Sequence, residues 1–217
     1  MIDLRELKDF CNNKKIIIVG NSSRILSHTY GTLIDNYEIV VRINRGYRPG
    51  NTAQQETNFR KQLGSKTTIL SLGVKSSIFA RQIVSGNACS YILCPIIWSD
   101  KLDYPNVHDI DPAEYHKLKE ELGGFKPSTG ISTYNFFNKL NNFKRLDLIG
   151  FDFFESSTPH RNQLGHLRVT DHHGRKEKLF FETSRDLERT LIHETKPGGI
   201  PINNIPTMYN SKSYRRR

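Results

Sequence analysis

The chain has 217 residues and a mass of 25.1 kDa, which suits one large domain with a buried hydrophobic core. Apolar residues make up 36% and charged residues 25% of the chain, which excludes a disordered or fibrous protein. The longest apolar runs are far shorter than the roughly 20 residues of a membrane-spanning helix. Lys and Arg number 32 against 22 Asp and Glu, and the net charge of +10 favours anionic partners.

The amino-terminal residues and the cysteines bear on the compartment. Residues 1–10 are rich in charge and lack the apolar stretch of a secretory signal. The three cysteines have no CxxC spacing, so neither a disulfide framework nor a zinc ribbon is indicated. We therefore expect a cytoplasmic protein.

Short β-branched runs alternate with longer amphipathic stretches, which is the pattern of parallel strands connected by helices. In chain order, the first half predicts a strand over 15–19, a helix to about 33, a strand over 38–43, a polar surface loop over 46–65, a strand over 66–72, a helix over 76–84 and a strand over 90–94. The second half predicts a helix that begins after Asp111 and ends at 123–124, a helix over 131–140, a strand over 145–151 and a last helix over 174–193. We expect an α/β fold with a single-domain, mostly parallel, Rossmann-like sheet flanked by helices over 1–200, and a basic, flexible tail over 201–217.

Polar residues follow the first two strands, and ligands of open parallel sheets bind at such carboxyl ends. Gly20 lets the backbone approach a ligand, and Asn21 and Ser22 suit a phosphate or ribose. An ordinary turn with Ser22 as a helix cap is an equal alternative. Arg42 and Asn44 lie at the end of the second strand, where a basic residue suits phosphate better than NAD; a solvated strand end is the alternative.

A hydroxyl-rich helix start follows in the second half. The amides and hydroxyls of Ser128, Thr129 and Gly130 can cradle a phosphate or carboxylate, and a plain helix cap is the alternative. An acidic triplet over 109–111 is of the kind that holds a divalent ion. A proline follows it directly, which favours helix capping instead.

The connection after the fifth strand is rich in histidine, with His160, His166, His172 and His173, and Glu177 follows in the last helix. An imidazole can act as a general base or donate to a leaving phosphate. Zinc is the competing interpretation, but the spacing is loose and no cysteine accompanies the histidines. We therefore expect catalysis without a metal at this segment.

Together these motifs resemble the sialyltransferases of glycosyltransferase family 29. The stretch from Ile17 to Ser23, continued to Thr68, resembles the large sialylmotif of that family. The stretch from Pro127 to Phe151 resembles the small motif. His172, followed five positions later by Glu177, matches the very short motif.

The resemblance implies a CMP-activated sialic acid donor, a glycan or glycolipid acceptor, and a metal-independent, inverting mechanism without a cofactor on a variant GT-A fold. It makes His172 the catalytic base, and we expect Glu177 to orient a histidine or cap the last helix. The donor-binding residues are then expected to be Gly20, Asn21, Ser22, Arg42, Asn44, Ser128, Thr129, Gly130, Gly150, Phe151 and Asp152.

The chain also departs from the family pattern. The two motif cysteines of the family fall at Ile16 and about Asn141, so their disulfide cannot form, in agreement with a reduced cytoplasm. The third motif is not recognisable, and its phosphate-contacting histidine is either His160 or His166. The segment 150–153 resembles bacterial sialyltransferases of another family, which also use CMP-sialic acid.

Three alternatives stay open. A CMP-Kdo-dependent transferase would use the same donor pocket. The positive charge also allows a nucleic-acid-binding module, although aromatic residues are not interleaved with the basic ones and we expect no nucleic-acid partner. A Rossmann oxidoreductase lacks two of its fingerprint glycines here. The tail with Arg215, Arg216 and Arg217 is either solvated or held near the inner face of an anionic membrane.

Overall fold

A computed structural model describes residues 3–44, 53–73, 84, 88–95, 104, 106–154, 172–186 and 189–193. The strands are β1 (Lys15–Val19), β2 (Ile39–Ile43), β3 (Ile69–Ser71), β4 (Tyr91–Cys94), β5 (Val107–Asp109), β6 (Arg145–Ile149) and β7 (Thr190–His193). The helices are α1 (Leu4–Cys11), α2 (Gly31–Asp35), α3 (Ala53–Leu63), α4 (Pro112–Glu121), α5 (Thr129–Leu140) and α6 (Gly174–Ser184), with a 3-10 helix over Ser23–Ser27.

The seven strands form one sheet in the order β5-β4-β3-β2-β1-β6-β7, and every neighbouring pair is parallel. The chain runs outward from β1 to β5 and then returns to place β6 beside β1. The strand order therefore reverses between β1 and β6, which creates a crevice at their carboxyl ends. The expected α/β class with a Rossmann-like parallel sheet is confirmed.

Helices cover both faces of the sheet because the central strands are apolar on both sides. Ile16 and Ile18 of β1 belong to a cluster that includes residues of α1, α4, α5 and α6. Ile17 and Val19 face the other side and pack with residues of the 3-10 helix, α2 and α3. The cores on the two faces fix the sheet between the helical layers.

The segment 46–65, expected to be a polar loop, contains α3. Few apolar residues reveal this helix in the sequence, and Leu63 is its one fully buried apolar side chain in the described part. A distant side chain supports its end, because Arg42 Nη2 donates to the Leu63 carbonyl at 2.7 Å. The prediction of a loop was therefore wrong. A contact from a residue as distant as Arg42 leaves no pattern in the sequence of the helix itself.

The last predicted helix is also corrected. It ends at Ser184, where Arg185 adopts extended backbone, and the chain then forms β7 against β6. Leu191, which was assigned to the apolar stripe of the helix, is a strand residue. The short edge strand β5 was not predicted, whereas Asp111 does cap α4, accepting from the Ala113 amide at 2.9 Å.

Three further expectations concern the segments outside the described residues, membrane-spanning helices and the cysteines. Most of the predicted helix over 76–84 and the whole tail over 201–217 lie outside the described residues, so the domain limits stay predictions. None of the described helices is long and apolar enough to cross a membrane. All three cysteines are free, and two of them, Cys11 and Cys94, are buried.

Candidate active site

The main chains of β1 and β6 meet where the strand order reverses. The Gly20 amide donates to the Ile149 carbonyl at 2.8 Å, and the Ser22 amide donates to the Gly150 carbonyl at 3.0 Å. A Cβ atom on Gly20 would collide with the Gly150 carbonyl oxygen, and Gly150 itself has a φ of 73°. Glycine at both positions therefore allows the two strand ends to touch.

A side-chain bond closes the same crevice. Ser22 Oγ donates to Asp152 Oδ2 at 2.9 Å, and Asp152 Oδ1 accepts from the Phe154 amide at 3.2 Å. Ser22 also caps the 3-10 helix, because its Oγ accepts from the Arg24 amide at 3.2 Å. The capping alternative for Ser22 is thus present in the structure, together with a contact to Asp152, another residue of the expected donor-binding set.

The two asparagines of the predicted donor set connect neighbouring strand ends. Asn21 Nδ2 donates to the Ile43 carbonyl at 3.2 Å, from the end of β1 to the end of β2. Asn44 Oδ1 accepts from the Gly73 amide at 2.7 Å, beyond the end of β3. Asn44 has a φ of 55°, a left-handed backbone that asparagine tolerates better than most residues. Both side chains lie at the expected edge of the sheet.

Arg42 is directed elsewhere. Its side chain is 8% exposed, and its Nε and Nη2 donate to the carbonyls of Lys66 and Leu63 at 2.9 and 2.7 Å. Burial lowers the pKa of Arg42 to about 10, and nearby Asp35 acts in the opposite direction. The structure therefore brings the Arg42 guanidinium to the end of α3 and not to the other predicted donor residues.

The amino terminus of α5 packs directly on these strand ends. A Cβ atom on Gly130 would lie 2.9 Å from Phe151 Cε1 and 3.6 Å from Ile43 Cδ1. A Cβ atom on Gly73 would collide with the Thr129 hydroxyl. The first turn of α5 therefore lies over the ends of β2, β3 and β6.

Ser128 caps α5 and is itself held by a buried carboxylate. Its Oγ accepts from the Ile131 amide at 3.2 Å. Its own amide and hydroxyl donate to Glu177 Oε1 and Oε2 at 2.8 and 2.7 Å. Glu177 is 3% exposed, and burial raises its pKa from the ordinary 4.5 to about 7, although the two bonds from Ser128 oppose the shift. Its carboxylate binds Ser128 and not a histidine, and the cap of α6 is His173, which corrects both alternatives of the sequence expectation.

His172 lies just before α6 and is oriented by the chain that precedes α5. Its Nδ1 is 2.8 Å from the Lys126 carbonyl oxygen. Because a carbonyl only accepts, Nδ1 carries the hydrogen and the basic lone pair is on Nε2. The Phe154 ring stacks on the imidazole with a centroid distance of 5.7 Å and an interplanar angle of 6°.

The sequence indicated neither of these partners of His172. Phe154 follows the 150–153 motif and has a φ of 69°, and Phe153 has a φ of 50°. Left-handed backbone at two successive bulky residues is costly and is found mainly at functional sites. The adjacent aromatic residues Phe153 and Phe154, at the end of the motif and directly after it, were the sequence feature that could have indicated a stacking partner for His172. A main-chain carbonyl such as that of Lys126 leaves none.

His173 has a different role from its neighbour. Its Nδ1 accepts from the Lys176 amide at 3.4 Å and so caps α6. Its ring packs against Phe125 with a centroid distance of 4.6 Å. His160 and His166 lie outside the described residues, so their assignment to the phosphate stays a prediction.

Two further features of the described residues concern ligands. Within them, no group of three or more His, Cys, Asp or Glu side chains is arranged to hold a metal ion. An open cavity of about 570 Å³ is lined by Lys15, Leu33, Asn36, Tyr37 and Arg145. Lys15 and Arg145 are the first residues of β1 and β6, so this cavity is at the opposite edge of the sheet from the crevice.

Comparisons with known proteins show which sequences and folds the chain is similar to. Residues 7–100 match the sequence model of glycosyltransferase family 29 (sialyltransferase). The predicted resemblance to this family is confirmed. The chain is also 42% identical over 52 residues to the β-1,6-galactosyltransferase GALT29A of Arabidopsis thaliana. That match covers 24% of this chain and only 11% of the plant protein.

Two crystal structures of a mammalian sialyltransferase are similar in fold. One, in complex with Gal-beta-1-3GalNAc-ortho-nitrophenol, has a TM-score of 0.57 and 19% identity, covering 88% of this chain and 73% of that chain. The other has a TM-score of 0.54 and 20% identity, covering 83% of this chain and 68% of that chain. At these identities the likeness establishes the sialyltransferase-like fold.

The raised pKa of Glu177 predicts a pH-dependent stability. Between pH 4.5 and 7 the folded protein holds a proton that the unfolded chain has released, so the free energy of unfolding falls as the pH rises through this range. Glu177→Gln cannot titrate but keeps an acceptor for the Ser128 amide. The free energy of unfolding should be measured with urea at pH 5 and at pH 7.5 for both proteins. Between these pH values it should fall by about 2–3 kcal/mol more in the normal protein than in Glu177→Gln. An identical pH dependence in both proteins would contradict the shifted pKa.

Proposed function

We propose that the chain is a metal-independent, inverting glycosyltransferase that moves an acidic sugar, sialic acid, from its CMP donor to a hydroxyl of a glycan acceptor. The observation that carries the proposal is the bond from His172 Nδ1 to the carbonyl of Lys126, three residues before Thr129, the first residue of α5. This bond leaves the basic lone pair on Nε2. A general base and an anion-binding helix terminus are thereby held next to one crevice.

The first turn of α5 suits the phosphate of the donor. Amides in the first turn of a helix have no intrahelical carbonyl partner, and the helix dipole favours negative charge there. Thr129 and Gly130 supply such amides above the ends of β2 and β6. We assign the nucleotide to the adjacent crevice, where Asn21, Asn44 and Asp152 line the strand ends.

The reaction is a single in-line displacement. The acceptor hydroxyl oxygen forms a bond to the anomeric carbon, while the bond from that carbon to the phosphate oxygen breaks and CMP leaves with the electron pair. His172 Nε2 takes the hydroxyl proton. The leaving group is a stabilised phosphate anion, so orientation and electrostatic stabilisation by fixed amides supply most of the catalysis. One displacement inverts the anomeric configuration.

The role of His172 can be tested with its neighbour as the matched control. His172→Ala should lower the rate of transfer from CMP-sialic acid by about 100-fold or more, because it removes the base. The affinity for CMP, measured by calorimetry, should stay within a few-fold. His173→Ala removes a helix cap and should cost stability by about 1 kcal/mol with a much smaller effect on the rate.

The two variants separate the possible outcomes. Near-normal transfer by His172→Ala with an inactive His173→Ala would move the role by one residue. Near-normal rates in both variants would leave the segment without a base and overturn the proposed mechanism.

The proposed phosphate site also predicts how the nucleotide responds to chelation. Because main-chain amides and hydroxyls are assigned to the phosphate, CMP should bind with the same affinity in EDTA and in Mg²⁺. Calorimetric titration of the same preparation under both conditions measures this directly. A large loss of affinity in EDTA would contradict the metal-independent mechanism.

One observation favours a second donor. A 52-residue segment of the chain is 42% identical to the plant galactosyltransferase, whereas the two mammalian sialyltransferase structures are 19% and 20% identical over most of the chain. This local similarity makes a neutral hexose on a nucleotide the competing donor. Transfer assays with CMP-sialic acid, CMP-Kdo and UDP-galactose should show turnover with a CMP donor. Turnover with UDP-galactose alone would replace the proposed donor and leave the role of His172 intact.

A further inference from the structure

The outer surface of α6 combines positive charge with an exposed apolar side chain. Arg175, Lys176 and Lys178 are exposed there, and Leu179 between them is 55% exposed. We propose that this surface, called the α6 outer face and made of these four residues, docks on an anionic lipid bilayer. This interaction is separate from the proposed reaction and does not depend on it.

The charge of the α6 outer face suits a negative surface. Glu177 lies between Lys176 and Lys178 in the sequence, but its carboxylate is buried on the inner side of the helix, where it binds Ser128. Glu182 is the one exposed acid of the helix. Neither Arg175 nor Lys176 takes part in an ion pair within the described part of the chain. The net positive charge is therefore presented outward, where it attracts anionic lipid headgroups.

The apolar side chains on this side of the molecule suit a bilayer better than a purely ionic partner. Among the described residues, the large apolar side chains that are exposed are Leu4, Phe125 and Leu179. Phe125 is 38% exposed and packs on His173, the cap of α6, so it lies at the amino-terminal end of the α6 outer face. Leucine and aromatic side chains among cations are typical of surfaces that rest in a membrane interface.

Sequence spacing places Leu179 on the solvent side of the helix. Arg175 and Leu179 are four residues apart and so lie on one side of α6, whereas Glu177 and Phe181 form the buried side. A bilayer that accepts Leu179 also meets the neighbouring cations. Because the same helix begins two residues after His172, docking would bring the candidate site close to the membrane surface.

Vesicle binding of the full chain tests the proposal. The protein should co-sediment with phosphatidylcholine vesicles that contain phosphatidylglycerol and much less with phosphatidylcholine alone. The double variant Arg175→Gln/Lys176→Gln should bind about 25-fold more weakly, since each charge near the surface contributes about fivefold. Leu179→Ser should weaken binding by roughly tenfold.

Matched controls keep the result specific to this surface. Lys117→Gln/Lys119→Gln removes the same charge from exposed positions of α4, and Leu4→Ser removes an exposed leucine of α1; both should bind normally. Equal losses in test and control variants, or no binding by the normal chain, would overturn the proposal. Two other results would also overturn it: tighter binding of single-stranded DNA to the same face, or a dimer in sedimentation velocity that Leu179→Ser abolishes.

Discussion

A buried carboxylate joins the two parts of the candidate site. Glu177 of α6 accepts both the amide and the hydroxyl of Ser128, the residue that caps α5. Removing a carboxylate from water is costly, and its raised pKa reflects that cost, while the two hydrogen bonds offset part of it. The amino-terminal ends of α5 and α6 are consequently held together. His172 lies at this end of α6, two residues before the helix begins.

A second constraint acts on the sheet below. The Gly20 and Gly150 main chains touch where the strand order reverses, so the ends of β1 and β6 form a narrow crevice. Asn21 and Asn44 then connect the ends of β1, β2 and β3 by side-chain to main-chain bonds. Hydrogen bonds therefore hold these strand ends in fixed relative positions. The proposed electrostatic catalysis requires preorganisation of this kind.

The sequence predicted the strands well where burial on both faces makes them continuously apolar. β1 was placed with its observed limits and β2 within one residue, because runs of Ile and Val have few alternatives. α3 and β7 were missed because their stability comes from distant partners, the Arg42 guanidinium for α3 and the register with β6 for β7. Local patterns carry no record of such contacts.

For the candidate site, the sequence likewise predicted positions in the fold better than hydrogen-bond partners. The sequence correctly placed Gly20, Asn21 and Asn44 at one edge of the sheet, because the carboxyl ends of parallel strands meet there. Their role in binding a nucleotide stays a prediction. The bonding of other site residues was not found: Glu177 binds Ser128 instead of a histidine, and His172 binds a carbonyl that has no sequence signature. Arg42 was assigned to the donor by its position at a strand end, but alternation along β2 directs its side chain to the α3 side with Val40.

Nuclear magnetic resonance of the amide groups during titration with CMP tests the location of the nucleotide site most directly. Binding in the crevice should shift the amides of 20–22, Asn44, 128–130 and 150–152, leave those of α1 unchanged, and be weaker for UMP. A response centred on Lys15, Tyr37 and Arg145, which line the cavity at the opposite edge of the sheet, would contradict the account.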